Sequence, residues 1–452
     1  MLTEIRLDKF QGFGQPVSIP LRPLTLIYGP NAAGKSSIFR SILLAKQSLP
    51  KESLGFLRYS GFDGFVFEGE QISLASFANV VHKHDTDSCM SVGISIQIGP
   101  QRRMQRNSQR NLFLGVSLDW VITNTSPFSE VKVSFHPKDG QQVFFIKFSR
   151  KDDRLFVSEI SGGSELMDIL ENYVTRRQLR EGNPNLNIED YDDQNYRSSF
   201  DTFSVEDFRG LKFPIIGNLP RISVSNNFGI NQLEGPKQRQ LEILNDLIQL
   251  ARTALVQKLS EVVHIKPLRD IDHRFIYEGE GFTSETSTES ADVNPAHKVI
   301  SEWISNLTEG RYQFKSINFV AEEMRYLGKM KSQMLIDTLT GTPVSFRDVG
   351  VGLSQIKPIL EVLAQGDEKG DTILLIEQPE LHLHPKMQAD LASLFADLAV
   401  SRPGTQIVAE THSESMLLRI QKNLRNGRLS SKDVQILYVD KSPHPESPGN
   451  FV

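Results

Sequence analysis

Near the start of the chain, Gly29-Pro30-Asn31-Ala32-Ala33-Gly34-Lys35-Ser36-Ser37 has the residue types and spacing needed to hold a nucleotide phosphate. The segment fits G-x-x-x-x-G-K-[ST], a pattern in which backbone N–H groups cradle phosphate oxygens. Gly29 and Gly34 let the main chain curl so that those N–H groups face the anion. A helix starting directly afterwards adds its positive end. Lys35 supplies a point charge for the β- and γ-phosphates, and the Ser36 hydroxyl is a ligand for Mg²⁺. ATP and Mg²⁺ are the expected ligands.

Three further segments carry candidate chemistry. In Asp371–Pro385, DTILLIEQPELHLHP, the apolar run Ile373–Ile376 ends in Glu377. Such a strand can hold Mg²⁺ beside the strand that precedes the phosphate loop; standing alone, it would read as a buried strand capped by a surface acid. Gln378, an amide, and Glu380, an acid, follow it. QIVAETHSE then sets His412 just past another short apolar run. In Phe346–Gln355, FRDVGVGLSQ, Gly350 and Gly352 permit close backbone approach and Ser354 is placed to cap the helix that follows.

The elements that must position these residues follow from periodicity. Residues 2–9 alternate as a half-buried strand, and Leu24–Tyr28 is a short apolar run of buried-strand type ending at Gly29. Ser36–Gln47 has helical spacing. Residues 91–160 read as antiparallel strands, with the basic loop QRRMQRNSQRN between the first two. Residues 176–210 are charged and polar and read as an exposed connection. Residues 236–262 form an amphipathic helix, and a second helix is expected near Ala296–Leu307. The last third alternates: strand Gln333–Asp337, helix Leu353–Ala364, strand Thr372–Ile376, helix Lys386–Ala399, strand Gln406–Ala409, helix Ser413–Asn426 and strand Val434–Val439. That alternation implies a parallel sheet covered on both faces. With the phosphate loop at one end of the chain and this block at the other, a large middle segment interrupts one nucleotide-binding fold.

Composition sets the outer limits. The chain has 452 residues, 39% hydrophobic and 23% charged, with net charge −5, so the overall balance gives no sign of nucleic acid. The basic residues Arg102, Arg103, Arg106 and Arg110 form a local stripe able to meet DNA or RNA phosphates, although a solvated loop is the commoner meaning of such a run. Cys89 is the single cysteine, which fits a reducing, cytoplasmic setting. No signal-type or membrane-spanning apolar run is seen, so no membrane association is expected.

PELHLHP after a strand, with QIVAETHSE some thirty residues on, resembles the ABC-type heads of the RecF, SMC and OLD (overcoming lysogenisation defect) ATPases, above all the small bacterial OLD-like proteins labelled as AAA ATPases. The resemblance covers roughly residues 1–85 and 333–440. It implies an α/β P-loop fold of ABC-head type, a mixed sheet with an antiparallel lobe, split by a β-rich and helical insertion. The expected domains are residues 1–90 for the first half of the head, 91–332 for the β lobe and helical insertion, and 333–452 for the second half. By the same resemblance Glu377 is the Mg²⁺-binding acid, where those families usually have Asp. Gln378 stands where they carry a catalytic Glu, so slow hydrolysis is expected. His412 becomes the histidine that senses the γ-phosphate, and Phe346–Gln355 becomes the signature, with Gly352, Ser354 and Gln355 reaching a nucleotide held by a second copy of the chain. Gln71, in EGEQISLASF, is the candidate for a further Mg²⁺-contacting loop, with a plain surface glutamine as the equal alternative. His264–Arg274, HIKPLRDIDHR, resembles a G-P-L-R segment of these ATPases with Lys266 in place of the glycine. His382, His384 and His412 offer a metal site by type, but HLHP recurs in the pattern as a structural element.

The machine implied is an ATPase whose heads dimerise around ATP and move the inserted domain. Many OLD proteins continue into a Toprim nuclease, and this chain leaves no room for one after its last expected strand. Two roles follow: control of a partner, such as an effector nuclease or toxin from a neighbouring gene in anti-phage defence, or DNA repair and maintenance by direct action on DNA. A nucleotide-binding scaffold with negligible turnover is the third.

Overall fold

The computed structural model describes residues 1–31, 33–49, 65–98, 113–124, 129–137, 144–151, 154–161, 215–216, 219–220, 236–267, 269, 276–277, 295–319, 330–346, 348–369, 371–441 and 450–451. The fold is α/β, with a parallel sheet that carries the phosphate-loop strand and an antiparallel lobe. The chain divides into two compact units, each assembled from separated stretches.

One unit comprises Arg22–Pro30 and Val262–Tyr438. Its centre is a five-stranded parallel sheet in the order Val262–Ile265, Thr372–Glu377, Thr405–Glu410, Leu24–Tyr28, Val434–Tyr438. Leu24–Ile27, Thr372–Ile376 and all of Thr405–Glu410 are buried, as runs of Ile, Leu and Val in a parallel sheet should be. All strands point the same way, so their C-terminal ends, at Ile265, Glu377, Glu410 and Tyr28, share one edge. Open parallel sheets bind ligands at that edge. The order corrects one expectation: Thr405–Glu410 lies between the Glu377 strand and the phosphate-loop strand, which are therefore not neighbours.

The helices Pro295–Leu307, Val351–Lys369, Pro385–Ser401 and Glu414–Arg425 bury Ile300, Ile304, Ile356, Leu360, Leu391, Phe395, Met416 and Ile420 in a core shared with Leu26, Leu374, Ile376 and Ile407. A small antiparallel sheet, Tyr312–Phe319 against Met330–Asp337 with Pro343–Ser345 beside it, leads into the Val351–Lys369 helix.

The other unit comprises Met1–Leu21, Asn31–Glu261 and Val439–Val452. Its seven-stranded antiparallel sheet runs Val17–Pro20, Leu2–Asp8, Met90–Gln97, Phe113–Ile122, Glu130–Pro137, Phe144–Lys151, Arg154–Ser161. One face is apolar and buried, including Val92, Ile94, Val116, Leu118, Trp120, Val133 and Ile146. The Lys35–Gln47 helix packs on the long Pro236–Ser260 helix, which also touches the Met90–Gln97 strand. The basic stripe Arg102–Arg110, the polar stretch 176–210 and most of His264–Arg274 lie outside the described residues. Among the described residues no helix is long and apolar enough to cross a membrane.

Candidate functional site

The phosphate loop has the backbone its glycines were expected to provide. Gly29 has φ 148° and is buried, and Gly34 has φ 95° at the N-cap of the Lys35–Gln47 helix, with no side chain capping it. Both are conformations that L side chains avoid. Ala33, Lys35 and Ser37 are buried, Gly34 and Ser36 half-buried, and Pro30 and Asn31 exposed; Ala32 lies outside the described residues. Lys35 is only 3% exposed. Burial disfavours a lysine, and so does the positive end of a helix.

At the C-terminal edge of the parallel sheet, Glu377 and Glu410 are paired in register on adjacent strands. His264 Nε2 lies 2.8 Å from Glu377 Oε1, with the two side chains 10% and 20% exposed. That contact fixes one carboxylate oxygen and leaves Oε2 for another ligand. Oxygen donors of this kind suit Mg²⁺, which is ordinarily held by one or two carboxylates plus substrate phosphates rather than by a protein cage. Correspondingly, among the described residues no group of three or more His, Cys, Asp or Glu is placed to hold a metal ion. His382 is exposed, with φ 62°, and His384 accepts the Lys386 N–H as N-cap of the helix that begins at Pro385.

Gln378 leaves the strand with φ 46°, a left-handed conformation rare outside glycine, asparagine and aspartate. Its N–H donates to the Glu410 carbonyl at 2.8 Å, and its own carbonyl accepts from Arg269 at 3.3 Å. Two residues on, Glu380 accepts the Thr411 hydroxyl on Oε2 and the His412 N–H on Oε1, both at 2.8 Å. Thr411 in turn donates its N–H to the Ile27 carbonyl, two residues before Gly29. Ser413 accepts the Met416 N–H as the next helix's N-cap and donates to Gln388 at 2.6 Å. The segment carrying His412 is thus held to the phosphate-loop strand and to the loop after Glu377.

The signature segment differs in detail from the expectation. The helix starts at Val351, so Ser354 lies inside its first turn, where its hydroxyl donates back to the Val351 carbonyl at 2.7 Å instead of capping the end. The Gln355 carboxamide is turned inward: Nε2 donates to the Arg269 carbonyl at 3.0 Å and Oε1 accepts the Arg269 N–H at 3.3 Å. Gly352 packs so closely that an added Cβ would lie 2.6 Å from the His382 carbonyl oxygen. Val351, 50% exposed, and exposed Asp348 and Gly350 face outward here.

Three residues at this edge were not singled out by sequence. Glu410 lies in QIVAETHSE and His264 opens HIKPLRDIDHR, but neither had a role assigned, because their contribution comes from strand register. Arg269 sat in the G-P-L-R-like segment, the only signal pointing to it. Gln71 is half-buried in a loop of the other unit, where Gln47 bonds the Val66 carbonyl and the Ile72 N–H.

The sequence model of an AAA ATPase domain matches residues 1–417. No curated protein matches the chain. Among solved structures, the chain is 13% identical to an SMC head bound to the C-terminal winged-helix domain of ScpA, covering 100% of this chain and 97% of that one at TM-score 0.41. An SMC head from Thermotoga maritima is 10% identical, with 92% and 91% covered at 0.35. An Smc head with an extended coiled coil, bound to the C-terminal domain of ScpA derived from Pyrococcus furiosus, is 12% identical, with 97% and 93% covered at 0.40.

Proposed function

The chain belongs to the AAA ATPase domain family, and from that premise we propose that it is a slow, switch-like ATPase whose nucleotide state controls how it meets a second copy of itself and a partner protein. The observation that carries this reading is the double hydrogen bond from Thr411 and His412 to Glu380. It makes the loop after Glu377 and the His412 segment one body. A change at either is felt at the other, as a nucleotide-sensing edge requires.

The roles follow from the residues. The Gly29–Ser37 loop binds the ATP phosphates through main-chain N–H groups and Lys35. By motif, Ser36 and Glu377 are the candidate Mg²⁺ ligands, with Gln71 as a further candidate; when bound, the ion would neutralise phosphate charge. Gln378 orients water but accepts no proton from it, which keeps turnover low. Glu380 has both oxygens engaged, so its part is to hold Thr411 and His412. Gly350 and Val351 present the outward surface that a second copy meets, with Gly352, Ser354 and Gln355 shaping it from behind.

The test is ATP turnover measured together with native mass. A slow rate and a doubled mass with ATP support the proposal. Tight ATP binding with no measurable turnover and no mass change would leave only a nucleotide-binding scaffold.

A further inference from the structure

One buried cation has no part in the scheme above. Arg269 is 9% exposed, and the hydrogen bonds of its guanidinium run to main-chain carbonyls: Gln355 at 3.0 Å from Nη1, and Glu377 at 2.9 Å and Gln378 at 3.3 Å from Nη2. Nε is buried and has no partner among the described residues. Burial pushes the guanidinium down to about 10, against the opposing pull of the Glu380 charge, so it is still a cation at neutral pH.

Burying a charge costs stability even with the Glu380 charge acting on it, and an apolar side chain of similar size often packs at less cost. Stability is therefore a poor reason for an arginine at this position. Its geometry gives a better one. The planar fork reaches two elements at once, which a lysine cannot do. One element is the first turn of the Val351–Lys369 helix, where the two-way pairing of Gln355 with the Arg269 main chain adds to the grip. The other is the Glu377–Gln378 turn, whose left-handed backbone at Gln378 needs its surroundings to hold it. The same helix start meets the same loop again where Gly352 abuts the His382 carbonyl. On its outer side that helix start carries exposed Gly350 and Val351.

We propose that Arg269 is a positioning residue that ties the Gln378 turn to the start of the Val351–Lys369 helix, so that a second copy of the chain pressing on Gly350 and Val351 sets the rate of ATP turnover. This deepens the ATPase reading and rests on it. Contact with the second copy shifts the helix start by a small amount. The fork transmits the shift to the Glu377 and Gln378 carbonyls, and the Gln378 side chain moves with them.

The experiment compares wild type, Arg269→Lys and Gln355→Met for ATP affinity, KM, kcat, melting temperature and turnover per chain as a function of protein concentration. Wild type should turn over faster per chain as concentration rises. Arg269→Lys keeps the charge and loses the fork; its kcat should fall about tenfold, with ATP affinity and KM within about twofold, and its turnover should no longer depend on concentration. Gln355→Met should shift kcat the same way by less, and it serves if Arg269→Lys does not fold. The double variant should be no worse than Arg269→Lys, since both act through one strut. Wild-type kcat and concentration dependence in Arg269→Lys would overturn this proposal and leave the ATPase reading standing. A parallel loss of ATP affinity, kcat and melting temperature would also overturn it, because that is a general packing defect. A wild-type chain with no turnover at all would overturn both.

Discussion

The two large sheets place their polar residues in opposite ways. In the antiparallel sheet they lie on one face and bond mainly to one another, although Arg6 Nη2 is buried without a partner among the described residues. Arg6 bonds Asp119 at 2.6 Å, Ser95 at 2.6 Å and also Glu4; Ser117 meets His136 at 3.0 Å; Lys147 pairs with Glu130 at 2.7 Å. In the parallel sheet the strand interiors are mostly apolar, with Thr25, Gln406 and His264 as exceptions, and further polar groups gather where the strands end, at Glu377, Gln378, Glu410 and Thr411. A strand buried on both faces has nowhere else to put them. Their hydrogen bonds run to other segments: to His264, Arg269, Glu380 and the Ile27 carbonyl. One network closes on itself within a sheet. The other joins separate segments.

Substitutions test that contrast, and the largest effect is expected at the loop that follows the parallel strand. Lys35→Ala removes the point charge at the phosphates, and ATP affinity should drop by at least about a hundredfold in a calorimetric titration. Affinity equal to wild type would break the comparison at its root. Glu377→Gln should cut turnover by about a hundredfold while ATP stays bound, read by single-turnover kinetics. Gln378→Glu changes the rate in the other direction: supplying a proton acceptor should raise turnover by about tenfold. A rate equal to or below wild type would show that Gln378 is not at the base position. Gly352→Ala brings a methyl against a carbonyl that cannot move alone, so it should cost about 1–3 kcal/mol in chemical denaturation.

Much of this edge was legible in the sequence because it is local. Leu24–Tyr28 ends where its apolar run ends, and Gly29 and Gly34 adopt the positive φ that their place in the motif demands. Ile373–Ile376 reads as a buried strand with an acid at its end, and that is how Glu377 stands. The unread part is non-local. Nothing in the periodicity of residues 405–410 says that this strand inserts between the other two, and only that register brings Glu410 beside Glu377. Arg269 reaches residues 86 and 108 positions away, so its neighbours in sequence carry no trace of its partners. Ser354 shows a smaller limit: a serine near a helix start suits a cap, but a helix beginning at Val351 turns its hydroxyl back onto the helix. The strand Leu2–Asp8 was visible as a strand, whereas its pairing with Met90–Gln97, unlike that with nearby Val17–Pro20, depends on contacts across more than eighty residues.

The smallest expected effect is on the closed network, and it bears most directly on the contrast. Asp119→Asn leaves Arg6 with Glu4 as its remaining partner charge, and the Arg6 and Asp119 side chains are 28% and 29% exposed, so the cost should be about 1 kcal/mol. Turnover at neutral pH should stay within about twofold of wild type. Acid gives a second handle. Burial pushes the Glu4 carboxyl up, yet the Ser18 hydrogen bond together with the Arg6 charge and hydrogen bond outweighs it, and the group ends below its ordinary value. A carboxylate depressed in the folded state adds stability that is complete above its unfolded value, and the addition is lost as pH drops below about 4 through the folded value. Glu4→Gln should therefore flatten the acid limb of the stability curve and leave the neutral rate unchanged. If Asp119→Asn or Glu4→Gln instead lowered turnover tenfold at an unchanged melting temperature, the antiparallel sheet's polar face would be part of the catalytic apparatus, and the division between a closed network and an open one would fail.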